Sequence, residues 1–376
     1  MERIRIAPGV LPETCEIIIE PGIIRAAGRV IRELLSPHTC VVISDDRVAS
    51  LYGNEVLDSV RAAGIEAALL TFPAGEANKT LATWQSLTER MMQLGAGRDS
   101  CVVALGGGVV GDVAGFVAAT YMRGVPVIQL PTTVVAMIDS SIGGKTGVDT
   151  THGKNLVGAF HQPRAVLVDP LALRTLPDPE LRGGLAEAIK HGAIADAAYL
   201  HWLRDAATDI ADRSLPELTR LIRGSVDIKA AFVSMDAHEA GPRAALNFGH
   251  TIGHAIERVS EYRIAHGEAV AIGMCIEARC GAAAGITAPG TAAALSRVIE
   301  EFGLPTHLPE AMSADTVLER TRSDKKSRGG RSRYTLIAEI GRIARTEDGG
   351  WTHELPDDLV RDAMVGNAAR DHGLPG

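Results

Sequence analysis

The run Ser100-Cys-Val-Val-Ala-Leu105 is apolar at every alternate position on both faces, and it passes straight into Gly106-Gly107-Gly108-Val109-Val110-Gly111-Asp112. A strand with no polar face has to be covered on both sides, which is the situation of a parallel sheet between helices. Similar largely apolar runs recur at Thr39 to Ser44, which is β-branched, Ala67 to Phe72 and Val125 to Leu130, with helical stretches between them. A further short strand is expected from Cys15 to Ile19, followed by a helix from Gly22 to Leu35. The alternation makes the fold class α/β, with a parallel-sheet domain over residues 1–175.

After the Pro-rich stretch Leu176-Pro177-Asp178-Pro179 the periodicity becomes helical. Helices are expected over 180–205, 215–234, 243–260, 266–286, 290–303, 313–321 and 356–366, with a strand pair at Tyr334 to Ala338 and Gly341 to Arg345. Residues 176–376 therefore read as a mainly α-helical second domain, ending in a loose tail after Gly366.

The chain has 376 residues, 46% of them hydrophobic, enough for two domains of ordinary size. Its net charge of −8 argues against a nucleic-acid partner. The five cysteines have no CxxC spacing, which fits reduced thiols in a cytoplasmic protein. The N-terminal Met-Glu-Arg-Ile-Arg has no signal-type apolar run, and no stretch is long and apolar enough to span a membrane.

Gly106-x-Gly108-x-x-Gly111 follows a strand and opens a helix, the context in which a dinucleotide pyrophosphate sits at a helix N-terminus, as in a Rossmann-like domain. The acidic residue usual about 20 positions later is missing, because the next strand ends in Pro131-Thr132-Thr133. A tight turn that binds nothing would look the same. Gly75-Glu76 to Lys79 is a second candidate loop, although an ordinary helix entry accounts for it alone. Gly143-Gly144-Lys145-Thr146 resembles part of a phosphate loop, but the first glycine of that motif would fall at Asp139, so the motif is rejected. Lys145 and Lys154, in a loop of small residues, can still make an anion site.

His250 and His254 are four apart and share a helix face, and His266 follows twelve residues later. Glu187 and Lys190 lie three apart on another helix. Glu187 can complete a His/His/Glu zinc set with His250 and His266, leaving an open catalytic position. With twelve histidines in the chain, a chance pair is the competing explanation.

These segments, in this order, resemble the 3-dehydroquinate synthase family. The blocks that carry it are Pro73 to Lys79, Gly106 to Asp112, Phe116 to Gly124, Pro131 to Thr133, Asp139 to Val148, Gly153 to Asn155, Gly184 to Lys190, Asn247 to His254 and His266 to Glu268. The resemblance implies conversion of 3-deoxy-D-arabino-heptulosonate 7-phosphate to 3-dehydroquinate and phosphate, in the shikimate pathway to aromatic amino acids. It implies NAD used catalytically, with no net redox change, and Zn2+ or Co2+ on Glu187, His250 and His266. A strongly anionic substrate on a net-negative protein calls for a local cationic pocket. By resemblance that pocket and its proton network comprise Arg123, Asp139, Lys145, Asn155, Lys190, Lys229, Glu239, Arg243, Asn247, His254, Lys325 and Lys326. Arg123 would reach a neighbouring subunit's site, implying a homodimer, and the Arg243 fork suits a carboxylate. The NAD positions would be Asp45, Glu76, Lys79, Gly107, Gly108, Asp112, Thr132, Thr133, Lys154, Thr175 and Leu176.

The chain departs from the family at Arg47, where Asn is common near the adenosine ribose. Asp45 and Asp46 remain, and they favour NAD over NADP. Other sugar phosphate cyclases are the nearest alternatives: amino-dehydroquinate, deoxy-inosose and valiolone synthases. The last two act on substrates without a carboxylate and have less need of Arg243 and Asn247. A metal-dependent polyol dehydrogenase would release reduced cofactor and need fewer lysines. A catalytically inactive nucleotide-binding protein would not need the full set.

Overall fold

The computed structural model describes residues 14–239, 241–322 and 332–366. They fall into two compact units. Unit one holds the chain up to Pro131 together with Gly144–Asp169; unit two holds Thr132–Gly143 and the chain from Pro170 onward.

Unit one is built on a six-stranded sheet. Its strands are β1 (Glu16–Ile19), β2 (Thr39–Asp45), β3 (Glu66–Phe72), β4 (Cys101–Gly106), β5 (Val127–Pro131) and, after a hairpin, β8 (Ala165–Val168), in the order β1-β8-β5-β4-β2-β3. Every pairing is parallel. This is the sheet anticipated from strands without a polar face, and all six residues of β4 are buried. Val102 and Ala104 pack with Val113, Ala114 and Val117 of the Gly108–Thr120 helix and with Leu87 and Met91 of the Leu81–Gln93 helix.

The lysine-bearing segment expected as a loop is instead an antiparallel hairpin of β6 (Lys145–Thr150) and β7 (Gly153–Phe160). Glycine makes its contacts possible. A Cβ on Gly115 would lie 2.5 Å from Thr146 Cγ2, so the Gly108–Thr120 helix can approach β6 only without a side chain there.

Unit two is helical, with one small strand pair, β9 (Ile337–Glu339) and β10 (Arg342–Ile343). That pair is shorter than expected, because Tyr334 pairs instead with His353. The helix expected over 180–205 is two, Asp178–Ala195 and Ala197–Asp205. Asp196 between them is extended, and its side chain caps the second helix by accepting from Tyr199 N at 2.9 Å. The helix expected over 243–260 is also broken. A 3-10 turn, Pro242–Asn247, gives way at Phe248 and Gly249, and the helix proper is His250–Val259. Gly249 has φ +81°, and a Cβ there would sit 2.6 Å from Met274 Cγ. His250 therefore stands at a helix start rather than in mid-helix.

The His250–Val259 helix packs on His266–Ala283 through Ile252, Ile256, Ala269, Ile272 and Ile276, joined by Val317, Leu336 and Met364. His266–Ala283 also meets Asp178–Ala195, where a Cβ on Gly267 would fall 1.9 Å from Gly183 O. This close crossing brings Glu187, His250 and His266 to one place.

Candidate active site

Glu187 is completely buried in the middle of its helix. Its Oε1 lies 3.4 Å from His250 Nε2 and 3.2 Å from His266 Nε2. Each imidazole directs its other nitrogen elsewhere: His250 Nδ1 to Phe248 O at 3.2 Å, and His266 Nδ1 to Glu257 Oε2 at 3.4 Å. An acceptor at Nδ1 keeps the proton there and leaves the Nε2 lone pair for the cluster, the usual arrangement of metal-ligating histidines. The ligand atoms of the three residues lie within 4.8 Å of one another. Two imidazoles and one carboxylate with an open side suit Zn2+ or Co2+, so the residues fit such an ion. His254 lies beside them, its ring 5.3 Å from that of His250 and nearly perpendicular to it.

Around this trio stand buried cations. Lys190 pairs with Glu187 Oε2 and lies 3.9 Å from Asp139 Oδ1. Lys229 Nζ donates to the same Asp139 oxygen at 2.5 Å. Burial works against charge on Glu187, but Lys190 and His250 outweigh it and hold the carboxyl well below its ordinary range. Asp139 is likewise held well below, burial being outweighed by Lys229 and Lys190. For Lys190, burial is overcome by Glu187 and Asp139, which raise it, whereas burial wins at Lys229 and lowers it. Burial and then Lys190 push His250 down to about 3. Burial opposes charge on His266, but the hydrogen bonds to Glu187 and Glu257 prevail and raise it to about 10.

Arg243, 2% exposed, spends part of its fork on backbone: Nη1 and Nη2 donate to Gly143 O at 3.1 and 3.2 Å, and Nη1 also to Ala237 O at 2.8 Å. Asn247 Nδ2 donates to Glu239 Oε1 at 2.7 Å. His191, unmarked in the sequence reading, is fully buried with Nε2 3.6 Å from Asp139 Oδ1. Glu257 was also passed over. Its signal was its position three residues after His254 on the same helix.

In unit one, strand register sets Gly106 beside Pro131 and Asp45 beside Phe72, so the glycine turn, Asp45 and the Gly75-Glu76 turn share the carboxyl edge of the sheet. Ligands of open α/β sheets bind at that edge. Asp45 Oδ1 accepts from Val48 N at 2.8 Å. The Gly108–Thr120 helix opens directly after Gly107 with no acidic residue in its first turn, which leaves its N-terminus suited to a phosphate. Lys79, 4% exposed, donates to Asp112 Oδ2 at 2.6 Å, and Lys154 lies 3.3 Å from Glu76.

The expected site residues thus divide between the units. Asp45, Glu76, Lys79, Gly107, Gly108, Asp112, Arg123, Lys145, Lys154 and Asn155 belong to unit one. Thr132, Thr133, Asp139, Thr175, Leu176, Glu187, Lys190, Lys229, Glu239, Arg243, Asn247, His250, His254 and His266 belong to unit two. Lys325, Lys326 and the tail after Gly366 lie outside the described residues. Arg123 is exposed with φ +70°, and Asn155 is exposed with φ +53°.

Residues 69–183 match the 3-dehydroquinate synthase N-terminal family model, and residues 184–327 match the C-terminal one. The chain belongs to the 3-dehydroquinate synthase family. It is 46% identical over 357 residues to the 3-dehydroquinate synthase of Xanthomonas campestris pv. campestris strain 8004, covering 90% of this chain and 93% of that one. It is 43% identical over 339 residues to the enzyme of Symbiobacterium thermophilum, covering 89% and 94%. Among solved structures, 2-deoxy-scyllo-inosose synthase complexed with carbaglucose-6-phosphate, NAD+ and Co2+ is 27% identical, with TM-score 0.85 over 93% of this chain and 96% of that one. The 2-epi-5-epi-valiolone synthase of Streptomyces hygroscopicus subsp. jinggangensis, with NAD+ and Zn2+ bound, is 26% identical with TM-score 0.85, over 98% and 100%. A probable glycerol dehydrogenase from Sinorhizobium meliloti, 18% identical with TM-score 0.68, shares the fold. No helix among the described residues is long and apolar enough to cross a membrane.

Proposed function

We propose that this family member converts 3-deoxy-D-arabino-heptulosonate 7-phosphate to 3-dehydroquinate and phosphate in the cytoplasm. The observation that carries the reading is the convergence of His250 Nε2 and His266 Nε2 on one oxygen of Glu187, with buried Lys190 on its other oxygen and buried Lys229 on Asp139. When bound, NAD would supply transient oxidation and re-reduction of one ring alcohol, and a divalent ion on Glu187, His250 and His266 would polarise the vicinal hydroxyls.

The remaining work falls to the chain's own groups. Glu187, Asp139 and Glu239 face Lys190, Lys229 and Arg243. A divalent ion would leave that set net positive, as an anionic substrate needs. Lys190 and Lys229 hold Asp139 ionised as an acceptor for a substrate hydroxyl. Arg243 has donors beyond those given to Gly143 and Ala237, and they suit the substrate carboxylate together with Asn247. Glu239 positions Asn247, and His254 stands on the substrate side of the trio.

Within unit one, Asp45, Glu76, Lys79, Gly107, Gly108, Asp112 and Lys154 are the groups offered to NAD. A homodimer completes the reading. Met122, Leu156, Val157 and Phe160 are large apolar side chains exposed on unit one, between 37% and 49% each, on segments that flank Arg123 or form β7. An apolar surface of that kind is suited to a second copy.

Purified protein with NAD, a divalent ion and the heptulosonate phosphate is expected to release phosphate without accumulating NADH. Stoichiometric NADH would point to a dehydrogenase, and absence of phosphate release would sink the proposal.

A further inference from the structure

Glu257 stands next to the trio and was not among the expected site residues. It lies in the last turn of the His250–Val259 helix, where a carboxylate opposes the helix dipole, and it is only 4% exposed. Burying a carboxylate at the wrong end of a helix costs stability unless something answers it. Its Oε2 lies 3.4 Å from His266 Nδ1, while His266 Nε2 lies 3.2 Å from Glu187 Oε1. The imidazole is therefore bracketed by two carboxylates, one at each nitrogen. His250 differs, since among the described residues its Nδ1 meets the neutral carbonyl of Phe248.

We infer that Glu257 is a positioning residue: it keeps the His266 proton on Nδ1, fixes the ring plane and raises the donor strength of Nε2 toward the ion. This rests on the assignment of a divalent ion to Glu187, His250 and His266. A carboxylate behind a ligating imidazole strengthens it as a donor more than a carbonyl does. The two histidines thus become unequal ligands, His266 the stronger. His254 and Glu257 also lie within 4.8 Å of the His266 ligand atoms, so a second ion on the Nδ1 side is the competing arrangement.

The test uses metal-free full-length protein as wild type, Glu257→Gln, Glu257→Ala and His250→Ala. Zn2+ affinity is measured by competition with a chromophoric chelator, stoichiometry by titration, the Co2+ visible spectrum as a report of coordination, and metal-free melting as a report of fold. Wild type is expected to bind one ion per chain. Glu257→Gln keeps volume and an acceptor oxygen and should weaken Zn2+ roughly tenfold, and Glu257→Ala roughly 10- to 100-fold. Metal-free melting of the Gln variant should stay within a few degrees of wild type, and at saturation its Co2+ spectrum should keep its four-coordinate intensity. Affinities within twofold of wild type in both Glu257 variants would overturn the inference while leaving the metal site intact. Two ions in wild type, with one lost in Glu257→Gln, would make Glu257 a ligand and overturn it too. Absence of tight Zn2+ binding in wild type, or binding unchanged by His250→Ala, would instead remove the metal assignment and the inference with it.

Discussion

Both units bury lysine–carboxylate pairs, and the carboxyls respond in opposite directions. In unit one, Lys79 approaches Asp112 to 2.6 Å, yet burial still holds Asp112 above its ordinary range. Glu76 and Asp149 add negative potential there and reinforce the rise. In unit two, Asp139 faces two lysines, Lys229 at 2.5 Å and Lys190 at 3.9 Å, and is held well below its ordinary range. At Asp112 burial and two neighbouring acids outweigh one lysine, and at Asp139 two lysines outweigh burial and Glu187. In unit one the carboxylates thus outweigh the lysine at Asp112, whereas in unit two the lysines keep Asp139 ionised, as the proposed chemistry needs.

The comparison breaks most sharply at Lys190. Removing its charge by Lys190→Met leaves Glu187 and Asp139 each short of a cation. Turnover is expected to fall by a factor on the order of 10²–10³. Steady-state phosphate release measures it, and a loss under tenfold would mean that Lys229 alone sustains the ionised state.

Lys79→Met should act on stability instead. It strands Asp112, whose side chain is 17% exposed, so a cost of about 1–3 kcal/mol is expected. Adding Asp112→Asn should recover at least half of it, because removing both partners of a buried pair is far milder than removing one. Chemical denaturation of the single and double variants decides this. A double variant as unstable as the single one would contradict the reading.

A smaller effect separates the two units by pH. Asp139 has a lowered folded value, so its contribution is present above the unfolded value of about 3.9 and is lost as pH falls below it. Asp112 has a raised folded value, so its contribution is present below about 3.9 and is lost as pH rises through the folded value. Melting temperature against pH should accordingly change slope below about pH 4 in Asp139→Asn and above about pH 4 in Asp112→Asn. The same window for both would erase the distinction.

The same contrast governs what could be read from the sequence. The sheet of unit one was legible because β2, β4 and β5 are continuous apolar runs, a pattern that only a doubly covered strand produces. The β6–β7 hairpin was not, because β7 is largely exposed and its glycines resemble a loop. In unit two the helices were legible but their breaks were not. Phe248-Gly249 carries no proline, and a glycine in sequence does not show that its φ will be +81° or that a Cβ there would meet Met274. Residue type offered Glu187, His250 and His266 as a metal set but left a chance pairing open until the resemblance, since residues 63 and 79 apart meet by helix crossing and not by local spacing. His191 was hidden for another reason. Its helix is buried almost all round, so no polar face marks which side chains point to Asp139.

The account rests above all on the proposed assignment of a divalent ion to Glu187, His250 and His266. The direct measurement is bound metal and phosphate release in His250→Ala, with circular dichroism and metal-free melting taken on the same preparation. The expected result is a folded protein, melting within a few degrees of metal-free wild type, with metal and phosphate release both lost. A folded His250→Ala protein that keeps its metal and releases phosphate at the wild-type rate would contradict it.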